Sequence, residues 1–147
     1  MAHENLEAVM QSYAEQAVAA ARQQQIDLDY SEESLQLVET ILDRLHPPHA
    51  GGPAAGAAPA DADTEDLCKM WGGYLGEVVR RRWGGEWALE TYPGGNVLTV
   101  ALSTPGGTVF PSLKIYRRLS QGAAENVWLF YCMMRDRFRA RPGGKVQ

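Results

Sequence analysis

Residues 86–110 read EWALETYPGGNVLTVALSTPGGTVF, and the reading of this stretch decides the fold class. Trp87, Leu89 and Thr91 alternate with Ala88, Glu90 and Tyr92, the period of two expected of a strand with one covered face. PGGN at 93–96 turns the chain, and Leu98, Val100 and Leu102 then share one side of a second strand. TPGGT at 104–108 is a second turn, with Pro105 and Gly106 placed for type II geometry. TVF leaves room for only a short third strand before Pro111, which opens or immediately precedes a helix. The stretch therefore predicts a three-stranded antiparallel meander.

On both sides of it the periodicity becomes helical. Leu6, Val9, Tyr13, Ala17 and Ala20 predict an amphipathic helix over roughly residues 5–25. Leu35, Val38, Ile41, Leu42 and Leu45 predict a second, opened by Asp29 or Ser31 and stopped by Pro47 and Pro48. A third begins at a Thr64 cap, with Glu65 and Asp66 suited to its positive end, and runs to Trp83. Between the last two lies a Pro-, Gly- and Ala-rich stretch, 47–63, with no aromatic or large aliphatic residue to bury; it predicts a flexible connector. Downstream, SLKIYRRLSQG ends at Gly122, a helix-stopping residue. AAENVWLFYCMMRDRFRA is apolar nearly all round from Val127 to Met134, which predicts a buried centre, and turns basic towards its end. The order is ααα-βββ-αα, an α+β domain spanning 1–147 with helices covering one face of a small antiparallel sheet.

Bulk properties agree with a single domain. The chain has 147 residues, 45% hydrophobic and 22% charged, enough to build a sizeable core. No apolar run approaches the roughly 20 residues of a membrane helix. The acids Glu4 and Glu7 near the start argue against a secretory leader. Cys68 and Cys132, set among apolar residues, suit a reducing compartment, so the expected location is the cytoplasm. The net charge of −4 is unevenly spread. Residues 1–66 hold 13 acids against Arg22 and Arg44, a balance of −11; residues 67–147 hold 12 bases against five acids, a balance of +7. Such segregation points to a charged partner, a nucleic-acid face, or two parts of one fold that attract each other; exchange of those parts between chains would give a homodimer.

GGYLGEVVRRRWGGEW, residues 72–87, raises the question of a site. At 100° per residue, Leu67, Trp71, Tyr74, Leu75 and Val78 fall in one arc, while Lys69, Gly73, Glu77 and Arg80 fall opposite. On that map Glu77 is an exposed partner of Arg80 or Arg81, a surface pair of about 0.2–0.5 kcal/mol. Gly72, Gly73 and Gly76 inside a helix cost about 1 kcal/mol each relative to alanine, so something should approach the bare backbone closely. It is another element of the chain, such as the hairpin that starts at Glu86, or a partner or ligand lying along Gly72 and Gly76, with Gly72, Gly73, Gly76, Glu77, Arg80 and Arg81 as the partner-binding set. A third alternative is that the helix breaks at Gly72 and Gly73, which would cancel the map.

LDYSEESLQLVETIL, residues 28–42, followed by GGYLGEVVRRRWGGEW, resembles a pattern recurrent in small bacterial proteins of uncharacterised families. It is carried by Leu28, Asp29, Tyr30, Ser31, Ser34, Leu35 and Glu39, then by Tyr74, Gly76, Glu77 and Trp87, and covers less than half of the chain. The resemblance implies an intracellular bacterial α+β protein and assigns no catalytic residue.

Enzymatic motifs are not apparent. HPPH at 46–49 sets two histidines three apart, but two prolines oppose helical presentation and no Cys-x-x-Cys accompanies them. PGGN and TPGGT lack the strand-to-helix setting and lysine of a phosphate loop. No cofactor, metal or catalytic residue is expected. The leading expectation is a non-enzymatic protein that binds another protein, of the inhibitor or immunity type. The alternatives are a nucleic-acid-binding protein using Arg135, Arg137, Arg139 and Arg141 of the basic last helix, and an enzyme acting on a small polar substrate.

Overall fold

The meander forms as expected: β1 (Glu86–Thr91), β2 (Leu98–Thr104) and β3 (Gly107–Val109) pair antiparallel in the order β1-β2-β3. The structure, a computed structural model, describes residues 2–49, 62–92, 95 and 98–140. Three helices precede the sheet, α1 (Ala2–Arg22), α2 (Ser34–His49) and α3 (Ala62–Trp83). Two follow it, α4 (Pro111–Gln121) and α5 (Val127–Ala140), joined through a 3-10 turn at Ala123–Glu125. The chain is an α+β protein of order ααα-βββ-αα.

The register sets Trp87 opposite Leu102 and Leu102 opposite Val109, so one buried side chain from each strand forms a row across the covered face. The next rows on that face are Leu89 with Val100 and Thr91 with Leu98; Val100 packs against the core, whereas Leu89 and Leu98 are exposed beside α3 and α4. In the β2–β3 turn the left-handed backbone falls on Gly107 (φ 133°), not on Gly106 as a type II turn would require. Thr104 stabilises that turn: its Oγ1 donates to the Gly107 carbonyl at 2.6 Å and accepts from the Gly106 amide at 3.2 Å.

The centre of the fold is α3. Every residue from Trp71 to Val79 is buried, because α1, α4 and the sheet surround this helix. The two-faced map of α3 is thereby corrected. The predicted inner arc is inside, but so are Gly73 and Glu77 on the opposite side. Each helix glycine meets a different neighbour. A Cβ on Gly72 would lie 2.7 Å from Cα of Ser112 in α4; one on Gly73, 3.0 Å from the Met10 carbonyl oxygen in α1; one on Gly76, 2.0 Å from the Trp87 ring in β1. Three helix-weakening residues thus let three elements pack on one helix at backbone distance, and the helix is held by that packing rather than by propensity.

Helix ends show where local signals were followed and where they were overridden. Ser31 opens α2 as expected, its Oγ accepting the Ser34 amide at 3.1 Å, and Asp29 braces it by accepting the Ser31 amide at 3.0 Å. The Asp29 carboxyl is lowered, chiefly by its side-chain hydrogen bond with Ser31. α2 does not stop at the prolines but continues through them to His49, since proline's fixed φ is helical and only the missing N–H bonds are forfeited in a last turn. α3 begins at Ala62, so Thr64 is a buried residue of its first turn and not its cap. Of the expected connector 47–63, residues 47–49 belong to α2 and 62–63 to α3, and 50–61 lie outside the described residues.

Candidate functional site

Tyr30, Ser31, Ser34 and Tyr74 meet where the α1–α2 link reaches α3. The Tyr74 hydroxyl accepts the Tyr30 amide at 2.8 Å and lies 2.7 Å from Ser34 Oγ. Since Ser34 Oγ donates to the Ser31 carbonyl, the Tyr74 hydroxyl donates to Ser34. The rings of Tyr30 and Tyr74 pack 4.8 Å apart, and the Arg81 guanidinium sits 3.7 Å above the Tyr30 ring. Burial raises both tyrosines above the ordinary phenol value.

Arg81 connects this clasp to Glu77. The carboxylate is fully buried and accepts four hydrogen bonds: Oε1 from Arg80 Nη2 (2.9 Å) and Arg81 Nε (3.2 Å), Oε2 from Arg80 Nε (2.8 Å) and Trp87 Nε1 (2.8 Å). Burial opposes its charge, and the bonds from Arg80, Trp87 and Arg81 outweigh that opposition, so the carboxyl lies below the ordinary value. The expected exposed pair of Glu77 with Arg80 is corrected here: the arginines reach the surface but the acid does not. Saturated by donors, Glu77 has little lone-pair capacity left for an outside proton and fixes β1 against α3.

Next to it, Trp83 Nε1 donates to the Tyr131 hydroxyl at 2.8 Å, and Tyr131 donates in turn to Glu32. Burial, followed by the bond to Glu32, raises the Tyr131 phenol far above its ordinary value. Glu39 accepts from Arg118 Nε at 2.7 Å with Oε2 and from the Val127 amide at 2.9 Å with Oε1, capping α5.

Of the residues expected to hold a partner, Gly72, Gly73, Gly76 and Glu77 are therefore enclosed by the chain's own α1, α4 and β1; Arg80 and Arg81 are partly exposed and bonded to Glu77. Of the basic residues of α5, Arg137 and Arg139 are exposed. Arg135 is half-buried, with Nη2 donating to Cys132 Sγ at 3.7 Å, and Arg141 lies outside the described residues. His46 Nδ1 is 2.6 Å from the Leu119 carbonyl oxygen. No group of histidine, cysteine, aspartate or glutamate able to hold a metal occurs among the described residues.

An accessible apolar feature lies on α5. α5 buries Val127, Tyr131, Met134 and Phe138, but on its other side Leu129 and Met133 are 59% and 70% exposed. The expected all-round burial of its centre is corrected: two apolar faces are present and the core uses one. Beside this stripe a groove of about 500 Å³ opens between β3, α4 and α5. Its apolar wall includes Phe110, Leu113, Phe130 and Met133; its charged lining is Lys114, Arg117, Arg137 and Asp136. Arg117 bonds the Tyr92 hydroxyl and lies 5.4 Å over its ring, while Lys114 pairs with Glu125 at 2.9 Å. A sequence signal for this groove existed. Leu129, Met133 and Arg137 are spaced by four, as are Phe130 and Met134, and the apolar run is wider than one buried stripe requires.

No protein-family model, curated protein or solved structure matches the chain. No helix among the described residues is long and apolar enough to cross a membrane.

Proposed function

We propose that this chain is a non-enzymatic protein that binds another protein, of the inhibitor or immunity type, in a bacterial cytoplasm, and that the partner seats on the outer side of α5 and the adjoining groove. The observation that carries the reading is the Leu129–Met133 stripe. Two large apolar side chains one helical turn apart stand in water on a helix already anchored by its other face. Large exposed apolar patches rimmed by polar residues are typical of interaction surfaces. The location and bacterial origin rest on the resemblance and on the two thiols, Cys68 buried and Cys132 half-buried, neither of them in a disulfide.

The test compares the intact chain with a Leu129→Glu/Met133→Glu double variant as bait. Both positions are exposed, so the variant should fold and melt like the parent. The reading expects one stoichiometric partner, lost with the variant. A partner retained equally by both baits, or none with either, sinks it. Exposed Arg137 and Arg139 favour nucleic acid as the second reading, for which retention must fall steeply as salt rises.

A further inference from the structure

Resting on that protein-binding reading, we infer that the groove between β3, α4 and α5 takes an acidic amphipathic segment: large apolar side chains into the groove, carboxylates on its cationic rim.

The charge of the groove carries the argument. Lys114 is already neutralised by Glu125. Arg117 and Arg137 have no ion pair among the described residues, and Asp136 is the one acid in the lining. Among the described residues, the acids that cross to the basic half are held elsewhere: Glu7 with Arg80, Glu32 with Arg82, Glu39 and Asp43 with Arg118, and Glu65 with Lys69. The internal attraction between the two halves therefore stops short of the end of α5. A ligand complementary to what remains must bring negative charge.

The apolar component narrows the class. Phe110, Leu113 and Phe130 form a wall that a phosphate backbone would leave uncovered, and the neighbouring Met133 is an unbranched, polarizable side chain that adapts to varied apolar partners. A volume of about 500 Å³ holds a few side chains rather than a protruding domain. On α5, Leu129 and Met133 lead into Arg137 at successive steps of four, so apolar contact passes directly into cationic contact. A helix bearing leucine or phenylalanine next to glutamate at the same spacing is the complementary surface.

A random 16-residue display library, selected on the intact chain, tests this. Enriched peptides should be net acidic, with large apolar residues three or four apart. Their affinity should fall at least about tenfold with Met133→Glu and with Arg137→Glu, and less with Met133→Lys, which removes the apolar contact but adds a cation; such changes are typical of interface charges. Neutral or basic winners, or equal losses from Met133→Glu and Met133→Lys, overturn the acidic assignment and leave the protein-binding reading standing. Displacement of the winners by a single-stranded oligonucleotide at moderate salt, or no enrichment together with no partner in the bait experiment, overturns both. Self-association in sedimentation that Met133→Glu abolishes assigns the groove to a second copy and overturns the inference.

Discussion

The indole Nε1 of Trp87 donates to Oε2 of Glu77 at 2.8 Å, across the space that Gly76 leaves empty. The contact joins β1 to α3 by one buried charge and one ring, and each depends on the other. A Cβ at residue 76 would lie 2.0 Å from Cη2 of Trp87, so the ring would have to withdraw and release the carboxylate.

Gly76→Ala should therefore destabilise the protein, although alanine is the better helix former. Overpacking of this kind costs about 1–3 kcal/mol, against a propensity gain of about 1 kcal/mol. The melting temperature should drop, and near-UV circular dichroism should report a displaced tryptophan. A higher melting temperature would show that the ring does not occupy this space.

Glu77 contributes to the acid limb of stability. Its folded pKa is lowered, so the stability it contributes is fully present above its unfolded value of about 4.3 and is lost as pH falls through the folded value. Denaturant melts of the parent should weaken through this acid window. Glu77→Gln keeps an acceptor for Trp87 but has no charge to titrate, so it should be less stable at pH 7 and lose less on acidification. Identical pH slopes for the two proteins would refute the assignment.

The sheet and the element order were legible because alternation and turn residues act locally, and the Ser31 cap was legible for the same reason. The surroundings of α3 were not. A helical map infers outside from polar or small residues, and Gly73 and Glu77 lie inside because other elements come to them: α1 onto Gly73, and β1 with its indole onto Glu77. Pairing a buried acid with a tryptophan ten residues away is a tertiary fact that no local pattern encodes. The groove was hidden by the opposite error. A run apolar nearly all round predicts a buried centre, whereas Leu129 and Met133 face water.

Tyr74→Phe should loosen the α1–α2 link without unfolding the chain. It removes the acceptor of the Tyr30 amide and the donor to Ser34, which is buried. A hydrogen bond of this kind contributes about 0.5–1.5 kcal/mol, and a buried group left unpaired costs about 1–3 kcal/mol. Amide exchange at Tyr30 should accelerate much more than exchange in the centre of α3. Uniform acceleration throughout the chain would mean that the clasp is part of the global core instead.

Arg118 provides the sharpest test of how the segregated charges are used. It is 1% exposed on the side chain, with Nε and Nη2 bonded to Glu39 and Nη2 to Asp43 at 2.7 Å, so it ties the basic α4 to the acidic α2. Removing one partner of a buried pair typically costs about 3–5 kcal/mol, and Arg118→Met should fall at the lower end because Asp43 is 68% exposed and regains water. Adding Glu39→Gln should recover part of the loss, since the amide oxygen still caps Val127 and no buried charge remains unpaired. Salt discriminates this contact from the outer ones. Arg80–Glu7 and Arg82–Glu32, both at 3.8 Å with at least one half-exposed member, are screened over about 3 Å at 1 M salt; the enclosed Arg118 pair is screened far less. Thermal melts at 0.05 M and 1 M salt should give the same cost for Arg118→Met. A cost that vanishes at high salt would mean that α2 and α4 are held by solvent-exposed attraction and not by this buried guanidinium.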